Sequence, residues 1–173
     1  MKKTNKKKGW TEARLGEQGI ATVVMGQSPP GSTYNSTGEG LPFYQGKADF
    51  GDTHPTPRVW CTGPKKLAEP GDILLSVRAP VGPTNIAMGQ FCIGRGLAAI
   101  RGEKRVLTEY IYLWFKKIEA WLSSQGEGST FKAIGKDRIE ELSIAVPPAS
   151  GPGAHRPDSP EGRRNPPQTP RGG

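Results

Sequence analysis

Glycine and proline interrupt the chain so often between residues 70 and 102 that a helix is excluded there. The apolar runs between them are short: ILLSV (73–77), TNIAM (84–88), FCIG (91–94) and LAAIR (97–101). Runs of this length at close spacing predict strands joined by tight turns. The middle of the chain is therefore expected to form a compact region of mainly antiparallel β-strands.

The flanking segments repeat this pattern. Further strands are predicted at residues 20–25, where a short helix is the alternative, and at 41–46 and 58–62. A helical turn followed by a last strand is predicted at 137–146. The stretch GQSPPGSTYNSTGEG (26–40) is rich in turn formers, and its two prolines cannot donate to a sheet ladder. It is therefore expected to be a surface loop.

Residues 107–124 have a different period. Apolar side chains there recur at helical spacing and form one stripe, while charged side chains face away from it. The stripe consists of Ile111, Trp114, Phe115, Ile118, Trp121 and Leu122. One amphipathic helix is therefore predicted, and together with the strands it gives an α+β fold class, mixed and mainly antiparallel β.

The positive charge is unevenly distributed. The formal net charge is +8, with five lysines in the first eight residues and four arginines after residue 148. We expect a mobile basic arm at 1–9, one folded domain at 10–148, and a disordered Pro/Gly/Arg-rich tail at 149–173 with too few apolar residues to form a core. The domain itself is nearly neutral, so any affinity for nucleic acid has to come from local clusters or from the arm.

The composition argues against membrane, metal and cofactor roles. No apolar run reaches the length of about 18 residues that a membrane span needs. Cys61, Cys92, His54 and His155 lack the spacing of metal ligands. Two cysteines and no signal peptide are typical of a reducing compartment. We therefore expect a cytoplasmic protein with no cofactor, no metal and no membrane partner.

The tail contains a sequence similar to a catalytic motif. Asn165-Pro166-Pro167-Gln168 resembles the Asn/Asp-Pro-Pro-aromatic loop with which adenine methyltransferases hold a flipped base. Here glutamine replaces the aromatic residue, and no glycine-rich methyl-donor loop follows a strand, so we interpret the match as chance. A stand-alone or remnant DNA adenine methyltransferase stays open as the alternative to a non-catalytic binding protein. A structural or protein-binding domain with a basic arm and no DNA role stays open as a third interpretation.

Basic, amide and aromatic side chains occur in and beside the glycine-rich loops. Such loops let side chains approach phosphates and base edges, where arginine suits guanine and glutamine suits adenine. The candidate DNA-contacting residues are Tyr34, Tyr44, Gln45, Lys47, Arg58, Arg78, Arg95, Lys132 and Lys136. No residue is assigned a catalytic or metal-binding role.

Longer motifs add a family resemblance over residues 10–148. RLGEQGIATVVMGQSPPGSTYN, GLPFYQGKADFG, GDILLSVRAPVG and GSTFKAIGKDRIEELSIAVPP follow in an order that resembles a target recognition domain of type I restriction-modification specificity subunits. The resemblance implies a non-enzymatic reader of double-stranded DNA that recognises one half of a bipartite target. It implies as partners the methyltransferase (modification) subunits and, through them, the restriction subunits, which carry out the chemistry.

The chain departs from that family after Pro147-Pro148. Members typically continue with a Glu-Gln pair and a long amphipathic helix that docks the methyltransferase, whereas proline, glycine and arginine follow here. We therefore expect residues 149–173 to be out-of-frame translation and the protein to be a half subunit that lacks this helix. On that hypothesis the Asn-Pro-Pro-Gln sequence is an accident of the reading frame.

Overall fold

The computed structural model describes residues 8–125 and 133–149. Most of the expected arm and tail therefore lies outside the described residues. Within these ranges the chain forms 11 strands and two α-helices. In chain order they are β1 (Thr11–Arg14), β2 (Ala21–Met25), β3 (Tyr34–Asn35), β4 (Leu41–Tyr44), β5 (Trp60–Cys61), β6 (Leu67–Ala68), β7 (Ile73–Ser76), β8 (Thr84–Ile86), β9 (Phe91–Ile93), β10 (Leu97–Gly102), α1 (Thr108–Ser124), α2 (Lys136–Glu140) and β11 (Ser143–Val146).

A four-stranded antiparallel sheet in the order β2-β10-β7-β8 forms the centre of the fold. Every residue of β7 is buried because this sheet is covered on both faces. Ile73 and Leu75 join the hydrophobic cluster on the helical face, and Leu74 joins the cluster on the opposite face. Burial on both faces explains why this strand reads as a continuous apolar run and not as an alternating one.

A five-stranded sheet in the order β3-β5-β4-β9-β6 packs against one face of the central sheet. Its β4 and β9 run parallel, whereas its other pairs are antiparallel. Tyr44, Phe91 and Ile93 fill the space between the two sheets. The ends of β4 and β9 therefore lie side by side, next to the turn that leads into β10.

Helix α1 covers the other face of the central sheet. Ile111, Phe115 and Leu122 are buried, and the helix packs on β8 and β10. The helix predicted at 107–124 is confirmed, but Trp121, which we predicted on the buried stripe, is 50% exposed. Consecutive helical residues are about 100° apart, so Trp121 lies at the margin of a face whose centre is near Leu122.

The two-stranded antiparallel sheet of β1 and β11 joins the beginning of the domain to its end. Ile139 of α2 and Ile144 of β11 pack in the cluster beneath α1, and the hydroxyl of Tyr110 donates to the carbonyl oxygen of Ala145 at 2.6 Å. We did not predict β1, because its sequence Thr-Glu-Ala-Arg has a single apolar residue. The predicted fold class, mainly antiparallel α+β with one long helix, is confirmed.

No helix in the described ranges is both long enough and apolar enough to cross a membrane.

Candidate nucleic-acid interface

An open cleft lies where turns from both sheets meet. Its lining residues come from segments 28–34, 43–49, 58–59, 76–80 and 95–96. These segments are loops or strand ends, which are the parts of a domain that most often carry binding residues. The shape of the cleft therefore depends on how the turns are held.

Arg95 lies at the tip of the turn between β9 and β10, flanked by two glycines. Its backbone N–H donates to the Oγ of Ser28 at 3.2 Å. A Cβ on Gly96 would overlap the carbonyl oxygen of Gln45, and a Cβ on Gly94 would lie 3.0 Å from Ser28 Oγ. Glycine thus permits a close backbone approach that fixes the turn, and an exposed arginine projects from it.

Arg78 lies in the loop between β7 and β8, which Ser76 holds from beneath. Ser76 is 1% exposed, and its hydroxyl donates to the carbonyl oxygen of Pro80 at 2.7 Å. The backbone N–H of Ile134 donates to the carbonyl oxygen of Val77 at 2.8 Å. Since both ends of the loop are hydrogen-bonded to the rest of the fold, the exposed Arg78 also projects from a fixed backbone.

Asp49 holds the remaining side of the cleft. One of its carboxylate oxygens accepts from the backbone N–H of Gln45 at 2.8 Å, and the other accepts from the guanidinium of Arg58 at 2.7 Å. The side chain of Asp49 is only 15% exposed, whereas that of Arg58 is 63% exposed. The carboxylate therefore ties the short 3-10 turn Lys47–Asp49 to the segment that leads into β5.

Tyr34 and Phe43 form an aromatic part of the cleft wall, with ring centroids 4.7 Å apart. The Tyr34 hydroxyl donates to the carbonyl oxygen of Pro29 at 2.8 Å. Burial raises the pKa of Tyr34, and the nearby Cys61 raises it further. This hydroxyl is therefore protonated at neutral pH and already engaged within the fold.

Basic side chains outnumber acidic ones in the cleft. The exposed cations are Lys47, Arg58, Arg78 and Arg95. Asp49 is the only carboxylate among the described lining residues, and it pairs with Arg58. Among residues 8–125 and 133–149, no salt bridge occupies Lys47, Arg78 or Arg95. Such a surface attracts a polyanion.

Six of the nine candidate DNA-contacting residues come together in this cleft. They are Tyr34, Gln45, Lys47, Arg58, Arg78 and Arg95. The prediction for Tyr44 is wrong, because its side chain is 1% exposed and packs edge-on against Phe91 between the sheets. Lys136 lies on α2, 3.6 Å from Glu140, and is not among the lining residues. Lys132 lies outside the described residues.

The sequence reasoning missed the residues that hold the turns. Asp49, Ser28 and Ser76 were not singled out. Gly94-Arg95-Gly96 did carry a signal, since closely spaced glycines mark a close backbone approach. Ser28, whose hydroxyl accepts the hydrogen bond from this turn, is 67 residues away from Arg95 along the chain. No local sequence pattern links the two residues.

A second pocket, with an empty volume of about 450 Å³, lies between the end of α1 and α2. Trp121, Leu122, Ile134 and Leu142 contribute to its largely apolar wall. In the described part of the chain no three or more potential metal ligands are grouped. The basic cleft is therefore the strongest candidate site that these residues form.

Comparison with known proteins gives a consistent result. The chain matches the family described as type I restriction modification DNA specificity domain over residues 7–151. It is 44% identical over 140 residues to a candidate specificity subunit of the type I restriction enzyme MjaX from Methanocaldococcus jannaschii. That alignment covers 80% of this chain and 33% of the relative.

Solved structures are similar over the same part. The HsdS subunit from Thermoanaerobacter tengcongensis is 50% identical with a TM-score of 0.73, covering 82% of this chain and 34% of that one. A chain from a structure on complex assembly and conformational transition of the type I R-M system is 51% identical with a TM-score of 0.76, covering 82% and 35%. This chain thus spans about a third of the length of these relatives.

Proposed function

The chain belongs to the family of type I restriction modification DNA specificity domains, and from that premise we propose that it is the DNA-recognition component of a type I restriction-modification complex. Its ligand is double-stranded DNA, of which it recognises one half of a bipartite target. One such cleft can contact one half of a bipartite target. Recognition of the whole target therefore requires a second cleft on another domain or chain.

The observation that carries this proposal is the placement of exposed cations on braced turns. Lys47, Arg78 and Arg95 project into one cleft from three separate segments of the chain. Phosphate contacts from such residues set the position of a protein on the duplex, and base contacts then supply the specificity. The backbone hydrogen bonds and the buried serine beneath these turns reduce the cost of ordering them on binding.

We propose that the chain is itself non-catalytic and that it directs partner subunits. Methyl transfer and cleavage belong, on this proposal, to modification subunits and to the restriction subunits that join through them. The names of the relatives, which are specificity subunits of type I restriction enzymes, support this division. The chain then contributes the choice of the DNA site and not a reactive group.

Binding of the 173-residue chain to duplex DNA tests the proposal. Replacing Lys47, Arg78 and Arg95 together by alanine should weaken binding at least about tenfold, because phosphate contacts dominate affinity. Fluorescence anisotropy with a labelled random-sequence duplex at low salt measures this loss. A variant without residues 2–8 is the control for non-specific binding by the lysine arm. If the triple variant binds as tightly as the unaltered chain while the arm deletion abolishes binding, the cleft is not the site.

A further inference from the structure

Arg58 differs from the other cations of the cleft in its electrostatic state. It forms a 2.7 Å ion pair with Asp49, so the two charges largely cancel at a distance. Lys47, Arg78 and Arg95 have no such partner among the described residues. These three unpaired cations are suited to attracting the negatively charged phosphates of DNA. Arg58, whose charge is neutralised by Asp49, adds little to that electrostatic attraction.

The pairing nevertheless gives Arg58 a defined orientation. Its Nη2 group faces Asp49 Oδ1 at 2.7 Å, while Asp49 Oδ2 receives the backbone N–H of Gln45 at 2.8 Å. One carboxylate thus fixes the guanidinium relative to the turn that carries Gln45. Nη2 also makes a longer hydrogen bond, at 3.4 Å, to the carbonyl oxygen of Ala48. In the described residues no hydrogen bond occupies Nε or Nη1 of Arg58, and the side chain is 63% exposed.

We propose that Arg58 reads a guanine in the DNA half-site and that Asp49 is the positioning residue that holds it for this contact. The inference rests on the proposed function of the cleft. The guanidinium can offer Nη1 and Nη2 as a planar pair of donors for the O6 and N7 acceptors of guanine in the major groove, with Nη2 giving up its long contact to Ala48 while it keeps its hydrogen bond to Asp49. Because Asp49 holds the guanidinium in place, the contact with guanine keeps the accurate geometry that sequence specificity requires.

Two substitutions separate this role from simple electrostatics. Arg58→Lys keeps the charge but loses the fork, so it should reduce the preference for one guanine by about 5- to 150-fold. Asp49→Asn removes a negative charge, so affinity for random DNA should hold or rise while the preference at that same guanine falls. Glu17→Gln is the matched control, because Glu17 makes a 3.1 Å ion pair with Arg105 and does not line the cleft.

The experiment is selection of the whole chain on a random duplex library, with sequencing of the bound fraction for all four proteins. Thermal unfolding confirms that each variant is folded, and the exposed Arg58→Lys change provides a test even if Asp49→Asn is destabilising. Loss of the same guanine preference in Arg58→Lys and in folded Asp49→Asn, with Glu17→Gln unchanged, supports the inference.

Four other results would overturn it. A motif without guanine, or a guanine preference that survives both substitutions, removes Arg58 from base reading while leaving the proposed function intact. A uniform loss of preference at every position in Arg58→Lys assigns it a general role in binding. If the unaltered chain enriches no motif at all, the proposed function fails together with the inference.

Discussion

Individual residues of the cleft contribute to the proposed DNA binding in different ways, and Arg78 contributes through its charge. Its side chain is exposed, and the hydrogen bonds that hold its loop come from Ser76, Ile134 and the backbone and not from the arginine side chain. We expect Arg78→Ala to weaken DNA binding evenly across sequences and to lower the slope of log K against log salt by about 0.9. Anisotropy titrations between low and moderate salt measure the slope.

Arg14→Ala is the charge-matched control for this experiment, since Arg14 lies on β1 outside the cleft lining. An unchanged slope in Arg78→Ala, or an equal change in Arg14→Ala, would contradict a phosphate contact at Arg78.

The exposed tips of the cleft could be predicted because their chemistry is visible in the sequence. Arg95 lies between two glycines and Arg78 lies two residues before Pro80, settings that favour turns and exposure. The prediction for Tyr44 was wrong because Tyr44 ends β4 with its ring between the two sheets, whereas Gln45, just after the strand, is exposed. Which face is covered depends on sheet packing, and residue type does not reveal that.

At the scale of elements, α1 carries much of the core of one layer. Ile111 is 0% exposed and Leu113, two positions on, is 65% exposed. We expect Ile111→Ala to lower the free energy of unfolding by about 2–5 kcal/mol, through lost burial and the cavity that remains. Leu113→Ala is the matched aliphatic control and should stay within about 0.5 kcal/mol.

Urea denaturation followed by circular dichroism compares the two α1 variants. Equal losses of stability would show that α1 does not pack on the sheet through the Ile111 face.

The elements themselves were predictable to different degrees. Helix α1 was found because 17 residues repeat one period, and β7 and β10 were found because both are buried apolar runs. Two-residue strands such as β3 and β6 offer too few positions for any period to be recognised. The pairing of β1 with β11 joins residues more than 100 positions apart, and contacts at that separation leave no local trace.

At the scale of the whole molecule, the layered core determines how stability responds to alkaline pH. Cys92 is 0% exposed, and burial raises the pKa of its thiol from 9.0 to about 11. In the unfolded chain the thiol loses its proton near pH 9, whereas in the folded chain it keeps the proton to about pH 11. Its stabilising contribution is therefore complete below pH 9 and declines as pH rises toward 11.

Urea denaturation at pH 7, 9, 10 and 11 measures this decline. Cys92→Ala should be less stable at pH 7, because a buried side chain is truncated, but should lose less stability between pH 9 and 11. Tyr44, whose pKa burial raises to about 12, adds a decline that is common to both proteins. Parallel curves for the two proteins would contradict the assignment to Cys92.

The contacts that hold the turns of the cleft affect how DNA binding can change during evolution. The tips that carry Lys47, Arg78 and Arg95 are held by main-chain hydrogen bonds, by glycines, by the buried Ser76 and by the half-buried Ser28. Exchanging a tip side chain therefore leaves the supporting contacts in place. The strength of DNA binding can therefore be raised or lowered by point mutation at these tips while the fold that supports them is kept, so affinity and stability are free to change separately.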